Sequence, residues 1–392
     1  MTVELRPFGV KCNIQCQYCY QNPQREAGNI ASSYDLEKMK AAVEVEGTHF
    51  SLFGGEPLLM PVGDLESLWR WGEERFGKNG IQTNGTLIND RHIALFKTYK
   101  VQVGISIDGP DELNDARWAG SLIRTREATR KAHSAIDRLC SEGIPPSIIV
   151  TLHRANATRE NLPRMNEWLR HLEYLGVTAV RLHALEIESS VVRDNLSLTE
   201  TELFDAFENF ADLQASLTRL RFDVFEDMRK LMMCDDNHTT CVWNACDPYT
   251  TRAVRGVEGS GQRTNCGRTN KEGIDFVKSS TAGFERYLAL YHTPQEYGGC
   301  KNCRFFLACK GQCPGTALDG DWRNRTEHCS VWKRLYGRLE KSILDSGLAP
   351  LSTRSDRVQI EARFLELWSE GVNSTIEDVV RTMHATEQAK AV

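Results

Sequence analysis

All but one of the thirteen cysteines in this 392-residue chain fall in two stretches, and this pattern restricts the fold more than any other feature. Cys12, Cys16 and Cys19 open the chain, and Cys234, Cys241, Cys246, Cys266, Cys300, Cys303, Cys309, Cys313 and Cys329 occupy its second half. An odd number of thiols, and no signal-peptide core in residues 1–30, argue against a disulfide framework. Closely spaced thiolates select zinc or iron instead. Cys140 stands apart and reads as a small apolar residue buried in a helix.

Between the two cysteine territories the chain alternates strand-like and helix-like segments. Strands are predicted at 3–10, 48–53, 80–83, 101–107, 147–152 and 177–183. Helices are predicted at 34–45, 62–76, 90–99, 122–140, 162–175 and 199–220. Such alternation specifies β-α units around a parallel sheet. The expected fold class is α/β: a partial (β/α)6 barrel, then a cysteine-rich segment and C-terminal helices. The corresponding divisions are 1–220, 221–335 and 336–392. The periodicity is lost after 222, and 241–330 is too rich in Gly and polar residues for a large apolar core, so metal ligation is expected to substitute for packing. In the tail, Ile360, Phe364, Leu367 and Trp368 mark one apolar helix face and Ile376, Val379 and Val380 another.

Residues with chemical potential cluster just past the predicted strand ends: Gly54–Glu56, Asn84–Gly85, Ser106–Asp108, His153 and His183. Loops at that end of parallel strands build sites in such folds. The spacing Cys12-x3-Cys16-x2-Cys19 supplies three thiolates. A structural zinc needs a fourth protein ligand, for which the distant His49 is a candidate. A [4Fe–4S] cube on three cysteines leaves one iron open to a ligand that is not protein. A formal net charge of -5 gives no general reason to bind nucleic acid or an anionic membrane, and no run is long enough to span a bilayer. A cytoplasmic location is expected.

The CxxxCxxC spacing, with Tyr18 before the third cysteine, resembles the radical SAM superfamily. The resemblance implies an enzyme that cleaves S-adenosylmethionine (SAM) to a 5'-deoxyadenosyl radical. Gly54-Gly55-Glu56-Pro57 resembles that family's GGEP motif, implying close backbone approach by the glycines and an acid that receives the SAM amino group. Thr83-Asn84-Gly85 is similar to the element after the third strand. Ser106-Ile107-Asp108-Gly109-Pro110 is similar to the segment after the fourth, whose serine reaches the SAM carboxylate or ribose. Arg117 and His153 are expected as further polar SAM contacts, with the adenine beside Tyr18.

The later cysteines resemble the SPASM domain of radical SAM enzymes that modify peptides, implying two auxiliary [4Fe–4S] clusters and three in all. The resemblance assigns Cys300, Cys303, Cys309 and Cys329 to the outer one. Cys246, Cys266 and Cys313 are assigned to the inner one with Cys241, for which Cys234 competes. Zinc in one of these sites, or clusters that only stabilise the fold, are the alternatives. The family includes anaerobic sulfatase-maturing enzymes, whose Asp after the upstream cluster cysteine is replaced here by Gly267.

The favoured reading is a maturase that oxidatively installs a thioether or carbon–carbon crosslink in a ribosomally made peptide. Peptide dehydrogenation or epimerisation, formylglycine formation and small-molecule dehydrogenation are alternatives, and a non-enzymatic iron–sulfur scaffold is a reading from a different class. Many such relatives carry a peptide-binding domain ahead of the cluster motif, and Cys12 leaves no room for one. A leader is therefore expected to dock on the cysteine-rich region, the tail or a separate leader-binding protein. A flavodoxin or ferredoxin is the expected reductant. No catalytic base is identified: Asp247, Glu258 and Asp275 are candidates that each read first as structural. His183 is a candidate substrate contact, His238 a solvated loop residue, and the basic stretch Arg252–Arg268 a solvated surface that could instead steer an acidic leader.

Overall fold

A computed structural model describes residues 2–28, 30–237, 239–243, 246–247, 254–269, 281 and 283–390. The chain divides into two compact units, Met1–Phe222 with Val254–Val277, and Asp223–Ala253 with Lys278–Val392. Residues 254–277, read in the sequence with the cysteine-rich segment, thus belong to the first unit.

The first unit is built on one nine-stranded sheet. Its strands are β1 (Val3–Arg6), β2 (Phe50–Leu52), β3 (Asn79–Thr83), β4 (Val101–Ser106), β5 (Ser147–Leu152), β6 (Ala179–Ala184), β7 (Arg221–Phe222), β8 (Arg255–Glu258) and β9 (Arg263–Thr264). The spatial order is β7-β6-β5-β4-β3-β2-β1-β8-β9. All pairings are parallel except β8 with β9. Each of the first six strands is therefore beside its successor, and each crossover carries helix, as parallel pairing requires. Val3, Leu5, Phe50, Leu52, Ile105, Ile148, Val150 and Leu152 are completely buried. That is the expected composition of strands covered on both faces.

Most helix boundaries follow from local chemistry. Asp35 caps the helix Leu36–Glu46, Asn89 caps Asp90–Thr98, Ser121 caps Leu122–Ser141, and Thr199 with Glu202 forms a capping box for Glu200–Ser216. Two readings need correction. The last of these helices stops at Ser216, not near 220: Leu217 and Leu220 continue the apolar period but are buried in the turn that delivers β7. The region beyond 222 is not without period, because Asp223–Met232 is a helix that buries Val224, Met228, Leu231 and Met232. The strands β8 and β9 were also missed. They are too short to show alternation, and β8 is completed only by pairing along β1.

The second unit is held by an aromatic cluster and by one buried arginine. Trp368 packs against Phe284, Tyr287, Phe306 and Phe364, so the expected tail face closes on its own unit. Asp236 accepts the backbone N–H groups of Ile376 and Glu377 at the start of the helix Ile376–Lys390. Arg286, fully buried, donates to the carbonyls of Trp322, Lys310, Gly311, Gln312 and Asn324 at 2.7–3.4 Å. These loops have little regular structure, so one guanidinium supplies donors that a ladder would otherwise provide. No helix among the described residues is long and apolar enough to cross a membrane.

Replacing Arg286 with Met strands several buried carbonyls. A loss of at least about 3 kcal/mol in unfolding free energy is expected, and an unchanged denaturation midpoint would remove this role. At the opposite end of β2 from the glycines, His49 bonds Thr2 at 2.9 Å, and burial with Lys78 nearby lowers its pKa from 6.5 to about 4. The folded state therefore resists protonation. Stability should decline as pH falls from about 6.5 towards about 4, and in His49→Gln that part of the urea-midpoint profile should flatten.

Candidate functional site

Because β1 to β6 run parallel, the loops after all six open at one edge of the sheet, and the residues singled out in the sequence meet there. The loop after β1 carries Cys12, Cys16 and Cys19. It is clamped from one side by the loop after β2: Gly55 N–H donates to Gly9 O and Glu56 N–H to Lys11 O, both at 2.9 Å. A Cβ on Gly54 would lie 2.4 Å from Gly9 O, and one on Gly55 would lie 1.9 Å from Lys11 O. The double glycine is therefore a steric requirement of backbone lying on backbone. From the other side, Gln15 and Gln17 donate to the carbonyls of Trp118 and Ala116, which brings Arg117 against the loop.

Glu56 is 1% exposed. Its Oε1 accepts from Leu58 N–H (3.0 Å) and Thr83 Oγ1 (2.7 Å), and its Oε2 from Asn84 N–H (2.8 Å). The carboxylate thus locks the loop after β3 to that after β2, and one lone-pair position remains on Oε2. Burial raises its pKa against these donors. Pro57 starts the turn that follows. Asn84 Nδ2 donates to Asn13 Oδ1 at 2.8 Å and approaches Cys12 Sγ at 3.8 Å. Ser106 Oγ accepts from Gln82 Nε2 at 2.8 Å.

Asp108 is the hub of the remaining polar groups. Fully buried, it accepts from Thr151 N–H (2.9 Å) and from the Tyr18 hydroxyl, and faces His153 Nε2 at 3.4 Å. Arg117 donates to the same Tyr18 oxygen at 3.2 Å. Burial pushes the Asp108 pKa up, but His153, Arg117 and Tyr18 together hold it below the usual carboxylate value. The Tyr18 ring sits with Ala116, Leu185, Val192 and Leu196, with Cys16 and Ile187 at the margin.

The three thiols share this environment. Burial, then Glu56, push Cys12 up to about 11; burial pushes Cys16 up to about 12 against the pull of Arg117. Arg25 donates towards Cys19 Sγ at 3.9 Å. Donors aimed at sulfur and a buried cation fit an anionic iron–sulfur cluster. They do not fit zinc with His49 as fourth ligand, since His49 lies at the other end of β2. Among the described residues, no three His, Cys, Asp or Glu side chains are gathered as ligands of a single ion. A cube instead spreads its thiolates over separate corners.

In the second unit, Cys300, Cys303, Cys309 and Cys329 line one cavity, with Phe305, Phe306 and Tyr336 in its wall. Burial pushes Cys300 up to about 12 and Cys309 well above its ordinary value, helped by the neighbouring thiols. The four residues that the resemblance assigns to the outer cluster thus face one space. Within the second unit Cys241 is exposed, Cys246 is buried, and Cys313 Sγ accepts from Gly315 N–H; Cys266 belongs to the first unit. Cys234 lines an open pocket with Glu377, Val380, Arg381 and His384. Cys140 is half-buried in its helix.

Several residues escaped the sequence reading. Arg268 donates to His183 Nδ1 at 2.5 Å, pairs with Glu186, and lies over the Tyr20 ring at 5.4 Å. Burial and Arg268 hold His183 well below its ordinary pKa. Arg255 and Arg263 pair with Glu46. The described part of the basic stretch is therefore ion-paired, not a solvated surface. Asp247 accepts from Arg286 N–H and Glu258 pairs with Arg6, structural roles for both candidate bases. Arg252, His238 and Asp275 lie outside the described residues. A Cβ on Gly267 would lie 2.9 Å from Arg6 Nη1 and 3.3 Å from the Tyr20 ring.

A β/α sheet whose loops assemble three thiols, a glycine clamp and a buried acid defines an enzyme of the cluster-bearing β/α class. A family model for the radical SAM superfamily matches residues 7–184. An uncharacterised protein of Archaeoglobus fulgidus is 36% identical over 83% of this chain and 77% of its own length. The chain belongs to the radical SAM superfamily and is an enzyme. The serine-type anaerobic sulfatase-maturating enzyme of Bacteroides thetaiotaomicron is 30% identical over 29% of this chain and 30% of its own. Across the sulfatase-maturating relatives first matched, the shared stretch covers 30% to 50% of their length. Among solved structures, anSMEcpe with bound AdoMet and a Kp18Cys peptide aligns with TM-score 0.66 at 18% identity, covering 88% of this chain and 98% of that one. Streptococcus suis SuiB bound to its precursor peptide SuiA aligns with TM-score 0.53 at 15% identity, covering 84% and 76%. At these identities the structural likeness is one of fold: a mixed sheet with a β/α core followed by an extensive helical region.

Gly55→Ala must push the cysteine loop away from its place, so reconstituted protein should lose iron from the first site while circular dichroism stays unchanged. Tyr18→Phe removes the bond to the Asp108 carboxylate and the one from Arg117, without moving the loop. It should keep its iron and lose about 1.5–3 kcal/mol of stability. Full iron retention in Gly55→Ala would show that the clamp is dispensable.

Proposed function

We propose that this enzyme is a peptide maturase that oxidatively installs a crosslink, thioether or carbon–carbon, in a ribosomally made peptide. Supporting it most is the pairing in one chain of an open three-cysteine loop with a separate four-thiol cavity. The first suits a cluster that keeps a free coordination position; the second suits one that is fully ligated and can only exchange electrons. The nine-stranded sheet is read as a partial (β/α)6 barrel, 221–335 as a SPASM segment, and 336–392 as a helical extension.

When bound, SAM and three [4Fe–4S] clusters would supply a 5'-deoxyadenosyl radical for hydrogen abstraction and an acceptor for the second electron. Cys12, Cys16 and Cys19 would hold the first cluster. Cys300, Cys303, Cys309 and Cys329 would hold the outer one, and Cys241, Cys246, Cys266 and Cys313 the inner one. Cys234 is the weaker candidate for the inner site because it opens into a pocket lined by the tail helix. Glu56 has one acceptor position left for the SAM amino group. Ser106, Asn84, Arg117 and the Asp108–His153 pair are within the same loop cluster for the carboxylate and ribose, and Tyr18 lends an apolar face to the adenine. Asp108 also keeps Tyr18 oriented. Peptides bound in anSMEcpe and SuiB favour a peptide substrate here. A ferredoxin or flavodoxin would serve as reductant, and a separate protein could present the leader.

Formylglycine formation is the second reading, favoured by the names of the sulfatase-maturating relatives. Against it, Gly267 stands where that branch has an Asp, and Arg6 and Tyr20 crowd the position.

Anaerobic mass spectrometry of the reconstituted enzyme with SAM, dithionite and short peptides encoded near its gene tests the proposal. A product two hydrogens lighter, with a segment that resists fragmentation, is expected. An aldehyde at a single Ser or Cys, trapped by hydrazide, would move the assignment to the second reading. Deoxyadenosine without any peptide change would count against both.

A further inference from the structure

The four-thiol cavity of the second unit poses a problem of charge balance. With iron bound, four thiolates carry a net negative charge into a place walled by Phe305, Phe306 and Tyr336. A buried anion of this kind is costly unless a cation or donor faces it. Two cations also line the cavity, Arg325 and Lys333.

The partners of these cations are neutral. Arg325 Nε donates to Gly299 O at 3.1 Å and its Nη2 to Gln295 O at 3.0 Å, while Lys333 Nζ donates to the Gln295 side chain. Among the described residues, neither has a carboxylate within ion-pair distance. Other basic residues of the same unit do: Arg304 pairs with Glu340 and Arg354 with Asp356. Lys333 lies four residues after Cys329 on the helix Cys329–Asp345, so the thiol and the ammonium share one helix face. Two half-buried cations without acids, on the rim of a space lined by four sulfurs, mark the cavity as built for an anion.

We propose that Arg325 and Lys333 are the counter-charges of the cluster held by Cys300, Cys303, Cys309 and Cys329, and that they raise its reduction potential. This rests on the reading that the cavity takes an iron–sulfur cluster. Reduction adds an electron to a site that is already anionic, so a nearby cation stabilises the reduced state more than the oxidised one. The effect suits a cluster that accepts an electron. The two residues differ in a way that a test can use. Arg325 also braces the backbone next to Cys300, whereas Lys333 makes one side-chain bond and can be changed with less disturbance.

The experiment is an EPR-monitored redox titration, with iron analysis, of the anaerobically reconstituted full chain. Cys329→Ala identifies the signal of this cluster. In Lys333→Met that signal should persist but titrate lower, by about a tenfold rise in the oxidised-to-reduced ratio at fixed potential, about 59 mV for one electron. Lys333→Arg should restore the original value. An intact signal with unchanged potential in Lys333→Met overturns the inference. Loss of the cluster in Met but not in Arg supports a counter-charge, whereas loss in both makes Lys333 a packing residue and overturns it. If Cys329→Ala changes neither iron content nor any signal, the reading of the cavity itself fails.

Discussion

The contact on which the first unit depends is backbone lying on backbone: the Gly54–Gly55 turn against the carbonyls of Gly9 and Lys11. Neither position has room for a methyl group. With that contact made, the cysteine loop has a fixed height above the sheet. Glu56, the next residue, is carried into the interior, where it collects donors from the loop after β3. Asn84 then reaches Asn13 and the side of Cys12. A steric condition at two residues thus positions three loops, and the hydrogen bonds follow from it.

Charge is the second organising constraint. Thiols buried this deeply are held protonated by desolvation, so loading iron must expel protons and leave anions that the protein has to accommodate. In the first unit Arg117 and Arg25 stand at the sulfurs, and Asp108 ties Arg117's partner, Tyr18, to the ends of β4 and β5. In the second unit Arg325 and Lys333 line the four-thiol cavity, where we propose the corresponding role for them. Arg286 also acts on Cys300, and in addition it satisfies carbonyls, letting loops without regular structure be buried at all.

Much of the fold was legible because parallel β/α units leave a strong periodic signal. The strand at 147–152 and the helices at 62–76 and 162–175 have the bounds read from pattern alone. The short strands β7, β8 and β9 were not legible, because two to four residues cannot show a period and their pairing partners are distant in sequence. Among site residues, cysteines and glycines announced themselves through spacing. Glu186 and the pairing role of Arg268 did not, since single polar residues in loops look alike until their partners are known.

By itself the sequence determined the succession of β/α units, the two thiol territories and the loops that carry the chemistry. These depend on local periodicity and on residue types that few other environments tolerate. Only the tertiary structure decided that Glu56 is held internally with one acceptor position free. It alone showed that Asp108 is the hub of the polar network, that the described part of the basic stretch is paired with acids, and that two cations with no acid beside them among the described residues line the four-thiol cavity. Each of these depends on which side chains from remote strands and loops come within hydrogen-bond or ion-pair distance. Residue spacing along the chain carries no record of that.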